Sequence, residues 1–240
     1  MQKFNDDLLS DYIEGFWGYG AKNADYWFVG MEEGGGDSFD EISQRIIQWD
    51  KRGRKPLEDL YEYHMDINVP MWFQKNARLQ PTWKKLIRVL LSAKGEFSDT
   101  ELVRSYQIER LGRSDGEVCL LELLPLPSPT TNHWLYNKHS DIPNLSSRVI
   151  YTQKIGANRA RKITKLIIEH QPKFVMFYGI GYLDWWRKVA QTELTSKTLH
   201  NKTAYFGKLK NTVIVASQHP VATGVSLDYF HEIGQQLSEM

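Results

Sequence analysis

Hydrophobic residues gather along the chain in four short runs, each rich in β-branched or aromatic side chains and closed by a turn signal. The runs are Tyr26–Gly30, Glu117–Leu124, Phe174–Gly179 and Thr212–Ser217, and segments of this length and composition predict strands. Between and after them, apolar residues recur at helical spacing over Glu41–Trp49, Pro81–Ala93, Arg148–His170, Tyr182–Thr192 and Leu227–Ser238. Strands alternating with helices predict an α/β fold of three layers, αβα, around a central, mostly parallel four-stranded sheet. Nothing in 240 residues asks for a second domain, so residues 1–240 read as a single unit. Open sheets of this kind bind ligands beyond the carboxyl ends of their strands. Chemistry is therefore expected just after residues 30, 124, 179 and 217.

Three of those places carry unusual residues. After the first run comes Gly30-Met31-Glu32-Glu33-Gly34-Gly35-Gly36-Asp37, two carboxylates beside glycines that let backbone approach a ligand closely. Taken alone it reads as a flexible acidic turn, and it has neither the lysine nor the spacing of a phosphate-binding loop. The second run buries Glu122 among leucines before Pro125-Leu126-Pro127-Ser128-Pro129. A carboxylate in an apolar strand is costly unless paired, so Glu122 marks either a salt bridge or a site. The fourth run ends in Ser217-Gln218-His219-Pro220-Val221-Ala222-Thr223, which sets His219 apart from the six other histidines.

Composition narrows the classes. Hydrophobic residues make up 41% and charged residues 25%, as in ordinary globular domains. One cysteine, Cys119, excludes an intrachain disulfide and a multi-cysteine metal or iron–sulfur site, and suits a reducing compartment. No segment is apolar enough to span a bilayer and the N-terminus is too polar for a signal peptide, so a cytoplasmic protein without membrane contact is expected. A net charge of +1 does not announce a nucleic-acid binder. Basic clusters at Lys51–Lys55, at Lys84, Lys85 and Arg88, and over Lys154–Lys165 could still form a basic face, although each alone reads as solvated helix surface. Eight Trp and twelve Tyr fill cores as a rule, and also suit a protein that stacks extruded bases.

The three loops, in this order and after these strands, resemble the uracil-DNA glycosylase superfamily. That family has a Gly-x-Asp/Asn/Ala-Pro-Gly/Tyr motif after its first strand, a base-reading Asn on a second strand and a His-Pro loop after its last. Here the matching stretches are Gly30 to Gly35, Val118–Leu124 with its prolines, and His219-Pro220, with Phe174–Gly179 similar to the family's third strand. The resemblance spans roughly residues 25 to 238, through short motifs. It implies a monomeric, cofactor-free, monofunctional DNA glycosylase that flips a base and hydrolyses its N-glycosidic bond. Glu32 falls where the family's water-activating residue lies, and Glu33 replaces a proline, which leaves the choice between the two glutamates open. His219 aligns with the histidine that hydrogen-bonds the leaving base. Gly34 and Gly35 would lie beside the base, with Phe39, Trp72 or Phe73 stacking on it. Pro125, Pro127, Ser128, Ser217 and Pro220 to Thr223 would meet DNA, and Val221, Ala222 and Thr223 would form the wedge.

Two departures bear on the substrate. Glu122 stands where uracil readers have Asn, and an ionised carboxylate only accepts hydrogen bonds, which favours the cytosine amine over uracil O4. Gly34 stands where selective uracil enzymes place a tyrosine against C5. Both point to a 5-substituted cytosine. Some members of the superfamily resemble defence enzymes acting on hypermodified, including glucosylated, phage cytosines, so repair or anti-phage defence is the expected setting. A non-catalytic DNA-binding module, a metal-dependent phosphohydrolase using Glu32, Glu122 and His219, and a small-nucleotide-binding protein are the competing readings.

Overall fold

A computed structural model describes residues 2–240. In chain order its strands are β1 (Gly18–Gly20), β2 (Tyr26–Glu32), β3 (Leu57–Glu58), β4 (Val118–Leu124), β5 (Phe174–Tyr178), β6 (Thr195–Leu199), β7 (Lys202–Leu209) and β8 (Thr212–Ser217). The helices are α1 (Asp6–Gly15), α2 (Phe39–Lys51), α3 (Leu60–Asp66), α4 (Trp83–Ala93), α5 (Thr100–Glu109), α6 (Tyr136–His139), α7 (Arg148–His170), α8 (Leu183–Ala190) and α9 (Leu227–Ser238). All strands join one mixed sheet in the order β3-β1-β4-β2-β5-β8-β7-β6. The four predicted strands form its parallel centre, β4-β2-β5-β8. The expectation of a four-stranded sheet is corrected to eight strands, since each side of that centre is extended by strands that include antiparallel pairings.

The added strands have weak sequence signals for physical reasons. β1 is Gly-Tyr-Gly, and its glycines adopt φ of +140° and +103° while lying so close to Leu120 and Val118 carbonyls that any Cβ would overlap them. Only glycine fits there, so the strand lacks the β-branched residues that usually announce one. β6 is an exposed edge, Thr-Ser-Lys-Thr-Leu, with a lysine of the kind that blunts sheet edges. Its hairpin to β7 turns at His200 and Asn201, both left-handed at φ 42° and 60°, as a two-residue turn of the primed type requires.

The central strands are buried on both faces, which explains their near-continuous hydrophobic sequence. α7 and α8 cover one face; Trp186 of α8 stacks on Phe177 at 5.2 Å. α4 and α9 pack closely together on the other, where a Cβ on Gly234 would run into Ser92. α7 starts at a Ser147 cap and stops at Gln171, left-handed at φ 46°, just before Pro172. None of the helices in the described residues is long and apolar enough to cross a membrane. Because β2 lies inside the sheet, the chain leaves it toward β4 on one side and later returns to β5 on the other. That reversal opens a crevice at the carboxyl ends of β2 and its neighbours.

Candidate active site

Glu32 ends β2 and Glu33 follows it, Glu122 lies late in β4, and His219 follows β8 by two residues. Parallel register sets Gly30 beside Glu122 and Glu32 beside Leu124. The Glu122 carboxyl extends over Gly30 and accepts a 3.0 Å hydrogen bond from the Tyr178 hydroxyl of β5 through Oε1. A Cβ on Gly30 would overlap both Glu122 Oε2 and the Tyr178 oxygen; here space, not backbone conformation, demands glycine. Tyr178 in turn meets His219 edge to face, with ring centroids 5.7 Å apart. A chain of contacts thus runs from β4 through β5 to the His219 loop.

The two adjacent glutamates have different surroundings. Glu33 Oε2 accepts from the Tyr19 hydroxyl at 2.9 Å and its Oε1 lies 3.1 Å from Arg45 Nη1. His64 Nε2 stands 3.9 Å from the same Oε1, beyond hydrogen-bond reach, and burial holds that imidazole below its ordinary pKa, hence neutral. Glu33 is therefore tied into the scaffold, and its carbonyl further accepts the Ser128 amide at 3.1 Å. Glu32 pairs through Oε1 with Arg148, the first residue of α7, while its Oε2 is buried with no partner. Burial raises the Glu32 carboxyl above the usual range even though Arg148 opposes the shift. An unpartnered oxygen at the crevice is the mark expected of a group awaiting a ligand or water, so Glu32 is the more available of the pair.

His219 is half enclosed. Burial, and secondarily the charge of Lys85, hold its pKa below the ordinary value, so the ring is neutral at physiological pH. The Val221 amide donates to Nδ1 at 3.3 Å, which assigns the ring proton to Nε2 and leaves that N–H as a donor. Lys85 of α4 anchors the loop by donating to the carbonyl of Pro220 and, at 3.4 Å, to that of Val225.

The remaining sequence-derived residues divide by exposure. Val221 is 54% exposed; Thr223 is also exposed and Ala222 half-buried, so the loop expected to form the wedge presents its tip to solvent. Pro125, Pro127, Ser128, Ser217 and Pro220, expected to meet DNA, are buried. Phe39 is stacked on Phe4 at 4.7 Å and leans on His139. Phe73 is buried between Tyr61, His64 and Trp83, whereas Trp72 is half-buried against Trp83. Trp72 thus keeps a free surface that Phe73 lacks. Gly34 is exposed and nothing would touch a Cβ there within 4 Å; Gly35 is left-handed at φ +100° beside Glu41 and Arg45.

Sequence reasoning missed the parts of Tyr178, Arg148, Arg45 and Tyr19, and read Lys85 only as a member of a basic cluster. Some members of the basic clusters are engaged within the protein. Arg52 is engaged by Glu58, Glu62 and Asp66, and Arg54 by Asp50 and Asp11. Arg159 is buried, donating to the carbonyls of Glu122, Leu123 and Ile13 and lying 3.8 Å over Trp17. Among the described residues, no group of three or more His, Cys, Asp or Glu side chains is arranged to hold a metal ion. An apolar cavity of about 280 Å³ between Trp17, Trp27, Cys119, Leu121 and α7 lies on the α7 face of the sheet, apart from these residues. Compared with known proteins, the chain matches no family model and no curated protein.

Proposed function

We propose that the protein is a monofunctional DNA glycosylase that flips a modified pyrimidine out of DNA and hydrolyses its N-glycosidic bond. The observation that supports this reading is that an incompletely partnered carboxylate, Glu32, ends β2 and a neutral N–H donor, His219, follows β8, both at the carboxyl ends of the sheet's parallel strands. Breaking the bond leaves positive charge on the sugar and negative charge on the departing base. Glu32 stabilises the cation and orients a water whose oxygen bonds to C1′. His219 Nε2–H donates to the base as it takes up the bonding electrons. The water supplies a hydroxyl to the sugar and a proton to the base, so an abasic site and free base result. No lysine projects from the matched loops to form a Schiff base with the sugar, and strand breakage is expected to need later heat or alkali.

Glu33 serves to hold the loop through Tyr19 and Arg45, and Trp72 is the favoured stacking surface. Space beside Gly34 supports a substrate with a group on C5, and a 5-substituted cytosine, glucosylated forms included, is the proposed target. Incubation with duplex and single-stranded DNA containing such cytosines, uracil or unmodified bases tests the reading. Released free base with an intact, alkali-labile strand is the expected product. Binding without release from every DNA would make the protein a binding module instead.

A further inference from the structure

The cavity on the α7 face has no part in the proposed reaction, and the alternation of the sheet explains why it exists. Gly18 pairs with both Leu121 and Leu57, while Gly20 pairs with Cys119, which in turn pairs with Trp27. Directly opposed residues point to the same face of a sheet. Leu57, Leu121, Cys119 and Trp27 therefore line one face, and β1 contributes no side chain between them. Tyr19, the residue separating the two glycines, turns the other way and donates to Glu33. α7 packs on β4 and leaves the bare strip over β1 open. Leu166 and Trp17 consequently wall a cavity of about 280 Å³ where a filled core would otherwise stand. That is nearly twice the roughly 150 Å³ that holds a benzene molecule.

Interior and mouth differ in chemistry. Inside, the Trp27 indole N–H is already used by the Ala24 carbonyl at 2.9 Å. Burial pushes the pKa of the Cys119 thiol well up and keeps it neutral. A nucleobase or sugar would leave polar edges unpaired there, whereas flat apolar rings suit walls made by Trp17, Trp27 and Pro56. The mouth is bordered by Lys22, Lys162 and Lys165 against one carboxylate, Glu169. Lys162 lies 2.8 Å from Glu14, but among the described residues Lys22 and Lys165, both exposed, form no ion pair.

We propose that this cavity binds a small organic anion with a flat, apolar, two-ring aromatic body and a single carboxylate held at the mouth by Lys22 and Lys165. The rings occupy the strip that β1 leaves bare, and the carboxylate stays in contact with water. Apolar walls with a few placed charges are the ordinary make-up of a small-molecule site. The cavity stands apart from the crevice, so this binding does not depend on the glycosylase reading.

Isothermal titration calorimetry of the full-length protein with 2-naphthoate tests the proposal, and the indole N–H signals of isotope-labelled protein locate the ligand. Saturable one-to-one binding that shifts the Trp17 and Trp27 signals is expected. 2-Naphthol, uncharged at neutral pH, should bind about tenfold more weakly, and the double variant Lys22→Glu/Lys165→Glu should weaken naphthoate about tenfold while leaving naphthol unchanged. Decanoate carries the same head on an acyl chain and should bind about tenfold more weakly than naphthoate, for want of ring stacking. Leu57→Trp should fill the strip and abolish binding of every probe; should that variant not fold, the exposed lysine pair still decides the matter. No binding of naphthoate, shifts confined to other tryptophans, unchanged naphthoate affinity after charge reversal, or decanoate as tight as naphthoate overturns the proposal.

Discussion

Replacing Arg148 by Met keeps the apolar stem and removes the guanidinium, which leaves Glu32 beside the crevice without a counter-ion. The two side chains are 15% and 11% exposed, so the pair is close to buried without being sealed from water. Removing one partner of a fully buried pair costs about 3–5 kcal/mol, and discounting for the remaining exposure gives about 2–3 kcal/mol here. The loss must depend on pH. Burial already raises the Glu32 pKa and Arg148 opposes it; without Arg148 the folded-state value climbs further. A carboxyl whose folded pKa exceeds its unfolded value binds more protons when folded, so its contribution is fully present below about pH 4.3 and is lost as pH rises through the folded pKa. The deficit of Arg148→Met should therefore be largest at pH 8 and shrink toward pH 5, with a slope steeper than the parent by at most about 1.4 kcal/mol per pH unit. Urea denaturation followed by tryptophan fluorescence across that range measures it. Adding Glu32→Gln to Arg148→Met should recover most of the loss at pH 8. A deficit equal at every pH, or a double variant no more stable than the single, would refute the assignment of Arg148 as the partner of a strained carboxylate.

Three further outcomes are expected. His219→Ala should slow base release by about a hundredfold, the usual effect of losing one donor to developing negative charge, and a near-parental single-turnover rate would remove the histidine from the reaction. Gly30→Ala would drive a methyl group into Glu122 and Tyr178, which should cost about 1–3 kcal/mol and lower Tm by about 2–4 °C per kcal/mol in a calorimetric scan. Gly34→Tyr meets no neighbouring atom, so stability should hold within about 0.5 kcal/mol while excision of cytosines with bulky C5 groups falls and that of small ones persists; equal excision of both would show that Gly34 does not border C5.

The centre of the fold was legible because its strands are buried on both faces and must be almost uniformly hydrophobic. β1 and β6 were hidden, one because close packing allows only glycine and the other because an exposed edge tolerates polar residues. Of the site, Glu32, Glu122 and His219 stood out as polar residues at the ends of apolar runs. Their partners did not, since Tyr178 reads as one more aromatic in a strand and Arg148 as one more base in a cationic helix. Which bases of the clusters are paired was not legible, because a count of lysines and arginines says nothing of the carboxylates that Arg52 and Arg54 reach across turns. The lack of a cation at Glu122 among the described residues was equally out of reach, since it is visible only once Arg159 is seen turned toward the backbone.

The central claim is tested most directly by mixing the protein with DNA that carries a single 5-substituted cytosine and identifying what leaves the strand. The account predicts free modified base and an abasic site stable until alkali is added, with the same yield in chelator. An intact base after prolonged incubation with every DNA offered, or phosphodiester cleavage that chelator abolishes and magnesium restores, would contradict it.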